Sequence, residues 1–290
     1  MTFRRDAGPA AAADGGAAAP RSGGAWDSTL SAEEFAAVTG AGFDPVGQVL
    51  GTAVFDRGYG GLWGCPGAWS VADGRKVPSS AWDASFSTLV RTMYAGRGLA
   101  VSRAVAECRA LGGDGIVGVG LRFEEFPPGG TEFTVLGTAV RARSRIRPSA
   151  PFTSHLSGQD FAKLLHAGWV PTGLAFGLAV EARHDDWRTN RRKPWTAENQ
   201  EVEGHTRLLD HVRRSARRQL ALEAAKHGGD GVVVSEAELQ VREMECPNFG
   251  YARDFRVEAV FTGTTVARFG RSERPAGPRP LTIMRLERER

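Results

Sequence analysis

Residues 110–120 read ALGGDGIVGVG, and the role given to their glycines decides the fold. Gly113-x-Gly115-x-x-Gly118 has the spacing of a dinucleotide-binding loop. Such a loop follows a strand and opens a helix, because the pyrophosphate rests on the unpaired N–H groups of a helix N-terminus. Here the order is reversed. Phe86, Leu89, Val90, Met93, Ala100, Val101, Ala104, Cys108 and Leu111 step by three or four up to the glycines, a helical stripe broken mainly by Arg97. A β-branched run follows. The nearby helix end is therefore the carbonyl end, which repels anions. Gly112 or Gly113 reads as the left-handed residue that closes the helix, and Asp114-Gly115 as the turn into a buried strand.

The motif has a twin. GGDGVV begins at Gly228, so Gly228, Gly229, Asp230 and Gly231 repeat Gly112, Gly113, Asp114 and Gly115, with Val234 in place of Gly118. Upstream, LSAEEFAAVTGAGFDPVGQVLGTAV from Leu30 aligns with LSGQDFAKLLHAGWVPTGLAFGLAV from Leu156, an offset of 126; GTAV from Gly137 and GTTV from Gly263 keep that offset. The glycine turns are 116 apart, which places insertions in loops of both copies.

Each copy reads as β-α-β-β with a small leading helix. The leading helices, near 31–40 and 157–167, start at Ser31 and Ser157 with acidic or amide residues behind them. VGQVLGTAVF and TGLAFGLAVEA are apolar strands. The second long helix carries Leu209, Val212, Ala216, Leu220 and Ala224; Gly96 and Gly98 predict a weakened, kinked first one. Strands follow each glycine turn and close each copy. The expected organisation is a disordered tail over 1–27, a domain over 28–146, a Pro/Ser-rich linker over 147–155, a second domain over 156–269 and a disordered tail over 270–290.

Composition sets the class. The chain has 290 residues, 41% hydrophobic and 24% charged, which suffices for a packed core. A net charge of +4 does not call for nucleic acid. Cys65, Cys108 and Cys246 are single and odd in number, so no disulfide framework is readable and a reducing, cytoplasmic setting is expected. Asp6, Pro9 and Asp14 interrupt the alanine-rich N-terminus, which lacks a signal-peptide core, and no run is long enough to span a membrane.

The segment WDASFSTLVRTMYAGRGLAVSRAVAECRALGGDGIVGVGLRF, followed by TEFTVLGTAVR, resembles the YbjQ-like family, which carries a heavy-metal-binding label. HGGDGVVVSE and FTGTTV resemble it in diverged form. The resemblance implies two tandem dodecin-like α+β domains that assemble into closed rings. It brings no catalytic residue and no named cofactor.

Candidate metal ligands are Cys65, His184, Asp185 and Cys246, scattered over separate loops. Arg213, Arg214, Arg217 and Arg218 form a cluster that suits anions or nucleic acid, or simply a solvated helix face. Trp63, Trp69, Trp82, Trp187 and Trp195 suit a subunit interface. No nucleophile elbow, zincin helix or P-loop is present. The sequence thus predicts a non-enzymatic homo-oligomer, ring-like, that serves as an assembly or binds a small ligand or metal.

Overall fold

The computed structural model describes residues 27–56, 86–127, 129–145, 147–184, 201–245 and 253–269. It is a mixed α+β structure with two sheets and four helices among those residues. The N-terminal half begins with α1 (Ala32–Gly40), which a capping box closes: Ser31 accepts from the Glu34 N–H while Glu34 reaches back to the Ser31 N–H. The strands are β1 (Phe43–Asp56), β2 (Gly115–Phe126) and β3 (Gly130–Ala142), with α2 (Ser87–Ala110) between the first two. In the C-terminal half, α3 (Gly158–His166) is capped by Ser157 and precedes β5 (Trp169–His184), α4 (Glu203–Lys226), β6 (Gly231–Glu245) and β7 (Arg253–Arg268).

The three long strands of each sheet have the same order. β3 lies between β1 and β2, and β7 between β5 and β6, antiparallel throughout. Register slips recur at matching places, between Pro45 and Gly47 and between Pro171 and Gly173. Each long helix lies against the first strand of its half at very short range. A Cβ at Gly51 would stand 2.0 Å from the Ala100 carbonyl oxygen, and one at Gly177 would stand 2.0 Å from that of Ala216. Only glycine lets backbone approach backbone this closely.

Alternation along β5 builds the layers. Its odd residues face α4, while Leu174, Phe176, Leu178 and Val180 face the other way, into a core shared with Phe86, Leu89, Met93 and Tyr94 of the α2 region. The stack therefore runs sheet, helix, sheet, helix. α2 is covered on two sides and α4 on one. The Tyr94 hydroxyl links α2 to the edge of β5, donating to the Phe176 carbonyl (3.4 Å) and accepting from the Leu178 N–H (3.1 Å).

Three sequence expectations change. α2 runs through Gly96 and Gly98 as one 24-residue helix, because packing between two sheets outweighs glycine propensity. Leu208, not Leu209, joins Val212 and Ala216 in the buried stripe of α4. The linker contains β4 (Phe152–Thr153), a parallel addition to β2 that makes the first sheet four-stranded. A two-residue strand has no periodicity to read, and its partner is not adjacent in the chain. No described helix is long and apolar enough to cross a membrane.

Candidate functional site

The stacking leaves a cleft of about 350 Å³ between α2, the end of β2 and the inner faces of β6 and β7. Arg97 of α2 lines it and is only 1% exposed. Its guanidinium lies 4.2 Å above the Phe123 ring and 5.3 Å from that of Phe176. None of its three guanidinium nitrogens has a hydrogen-bond partner among the described residues. Burial lowers its pKa to about 10, against the opposing pull of Tyr94, Glu258 and Glu236. Across the cleft, Glu258 pairs with Arg256 at 3.5 Å. The guanidinium is thus desolvated at the base of a cleft whose rim carries the carboxylates of Glu124, Glu236, Glu238 and Glu258.

Sequence reading noted Arg97 only as a break in an apolar stripe. The available signal was a cation on the apolar face of the helix, with Met93, Tyr94, Ala100 and Val101 one turn away on either side. Glu236 and Glu258 were not found because their alternation looks like a solvated sheet face, and only the stacking of the halves makes that face the wall of a cleft.

The glycine turns are placed as helix ends. Gly112 has φ +73° and Gly228 φ +65°, both left-handed. The Asp114 carboxylate accepts from the Ala142 N–H (2.8 Å), and Asp230 accepts from the Arg268 N–H (2.9 Å), so each aspartate ties the turn to the end of its closing strand. Gly113 has no room for a side chain, since a Cβ there would meet Cys108 at 2.6 Å; Gly229 is hemmed in by Thr265 in the same way. A Cβ at Gly115 would meet the Phe152 ring at 2.3 Å, whereas Gly231 has only Val266, at 4.0 Å. Cys108 is buried and free; burial raises its pKa to about 11, which keeps it a protonated core thiol.

Cys65, Asp185, Cys246 and the loop tryptophans lie outside the described residues, and His184 ends β5. No group of three metal-ligating side chains exists among the described residues. Arg213, Arg214, Arg217 and Arg218 sit on the outer face of α4. Arg213 pairs with the Asp210 carboxylate and Arg214 donates to the Asp210 carbonyl, both 3.1 Å, as on a solvated helix face.

No family model matches the chain. It is similar to the encapsulin nanocompartment protein Rv1762c of Mycobacterium tuberculosis (strain ATCC 25618 / H37Rv), 32% identical over 218 residues that cover 71% of this chain and 75% of that protein. This overturns the YbjQ-like assignment and, with it, the heavy-metal-binding label and the reading as tandem copies of that domain. The quoted motif is a helix C-cap followed by an aspartate that anchors a strand end. Glycine C-caps close many helices in unrelated folds, so the motif does not identify a family.

Proposed function

Because the chain belongs to the family of the mycobacterial encapsulin nanocompartment protein, we propose that it is a non-catalytic, self-associating component of such a nanocompartment. The observation that carries this is the 32% identity extending over 75% of that protein. In this reading the segments 28–146 and 156–269 are two β-α-β-β building blocks, each with a leading helix, and the assembly is a homo-oligomer within the cell.

The test isolates the full chain by an affinity tag from the cell that makes it, then measures sedimentation and images the fractions by electron microscopy. The chain is expected to travel with closed particles. Recovery only as free, slowly sedimenting protein overturns the proposal.

A further inference from the structure

Among the described residues, the contacts that join the two halves are left unmet on the outer faces of both halves. Ser154, His155 and Leu156 stand at the offset of 126 from Ser28, Thr29 and Leu30. Each segment is held on its own half in the same way. The Thr29 N–H donates to Thr138 Oγ1 and the His155 N–H to Thr264 Oγ1, both at 3.0 Å. The Leu30 N–H donates to Ser28 Oγ (3.0 Å) and the Leu156 N–H to Ser154 Oγ (3.2 Å).

The second segment uses its other side as well. Following β4, the Ser154 N–H donates to the Ile116 carbonyl (2.8 Å), the Ser154 carbonyl accepts from Val119 (2.9 Å), and the Leu156 carbonyl accepts from Gly118 (2.9 Å). These bonds close the edge of β2. The matching edge of β6 has no such partner among the described residues, and Val233 and Val234 are exposed there, Val234 by 48%. Its register slip falls between Val234 and Glu236, the counterpart of that between Val117 and Gly120.

Two further contacts obey the same relation. α3 seats Phe161 beside the fully buried Val38 of α1, Ala162 is buried as well, and the Gly158 N–H donates to Glu34. Ala36, the counterpart of Ala162, is exposed, and Leu164, the counterpart of Val38, is only partly buried. Phe176 and Val180 of β5 pack against the α2 side of the molecule, while their counterparts on β1, Leu50 and Val54, stand 50% and 49% exposed.

We infer that the β6 edge at Val232–Ser235 is the docking site for Asp27–Leu30 of a second copy of this chain, with α1 of that copy on α3 and its Leu50/Val54 face over α4. The occupant is another chain because Thr138 fixes residues 28–30 on their own half. The contact is head-to-tail, so it closes into a ring or extends as a filament according to the rotation between halves. The inference rests on the self-association proposed above. The docking surfaces depart from the internal ones at Ala32 for Gly158, at Val234 for Gly118 and, on α4, at His205, Thr206, Asp210, Arg214 and Arg217 for Leu89, Val90, Tyr94, Gly98 and Val101 of α2, so the α4 surface is the more polar.

The experiment is register-specific cross-linking in the full chain. Thr153 pairs with Ile116, so Asp27 should lie beside Val232 of the next copy. D27C/V232C, mildly oxidised, is expected to give an intermolecular 27–232 disulfide by peptide mapping, and D27C/V241C is not. L50E, at an exposed site that the fold does not need, is expected to weaken association at least tenfold in native mass spectrometry.

Oligomers that form without the 27–232 link and are indifferent to L50E overturn this interface and leave the proposed function standing. A 27–232 link within single chains also overturns it. A chain that is monomeric at every concentration overturns both.

Discussion

Arg97 on α2 and Arg213 on α4 occupy the same place in their halves, 116 residues apart, yet they live in opposite environments. Arg97 is 1% exposed with no hydrogen-bond partner among the described residues. Arg213 has a side chain 58% exposed and an ion pair with Asp210. The helices share their buried register: Ala100, Ala104 and Cys108 match Ala216, Leu220 and Ala224. The difference is the second sheet. It covers the outer side of α2, and nothing comparable covers α4 among the described residues. Identical chemistry becomes a desolvated cation in one half and an ordinary surface arginine in the other.

The shared part of the comparison is hardest to break. Gly51→Ala and Gly177→Ala should each cost about 3 kcal/mol or more, because the clashing atom is backbone carbonyl and cannot rotate away. Urea unfolding at fixed protein concentration would measure it. A cost at one site less than half that at the other would show that the two helix–strand contacts are not equivalent.

The arginines should then separate. Arg97→Met is expected to raise stability by about 1–3 kcal/mol, since it removes a buried charge that has no hydrogen-bond partner while keeping an unbranched apolar stem. Arg213→Met should stay within about 0.5 kcal/mol of the parent in the dissociated chain, where α4 is uncovered. The pH dependence fixes the cause. With its folded pKa lowered to about 10, Arg97 binds fewer protons in the folded chain than in the unfolded one above that pH. Its penalty therefore fades as pH rises, and the advantage of Arg97→Met should shrink above about pH 10. An advantage constant with pH would assign the gain to packing instead.

Smaller effects sharpen the comparison of the two anchoring hydroxyls. Thr138→Val and Thr264→Val should each cost about 1 kcal/mol, because each leaves a backbone N–H at residue 29 or 155 without its acceptor. Thermal melts of the two variants would compare them. The smallest difference is that between Thr29 and His155. Burial lowers the His155 pKa, partly opposed by Asp160, and its ring nitrogen lies 2.6 Å from Thr264 Oγ1. The neutral ring is favoured by the fold, so its contribution is complete above the ordinary histidine pKa and is lost as pH falls through and below it. His155→Thr should flatten the stability profile in that range. An unchanged profile would place the acid sensitivity elsewhere.

Much of this was legible because the signals are local. Ser31 and Ser157 announce their helices, Gly112 and Gly228 end the long ones, and the offset of 126 aligns Gly51 with Gly177 before any contact is known. β4 and the Leu208 anchor were not legible, since a two-residue strand has no period and adjacent leucines share a helical sector. The family was also misread, because the glycine turn reports helix-to-strand geometry rather than descent.

The sequence by itself determined the long elements, their β-α-β-β order in each half, and the glycine turns that end the long helices. These depend on propensity, capping and steric limits within a few residues of chain. Only the tertiary structure decided which copy of each feature is covered. The C-terminal half lies across the N-terminal one, and that single placement buries Arg97, pairs β2 with the linker and shares Phe176 between the halves. Long-range burial follows from how the halves stack, and no local pattern encodes it.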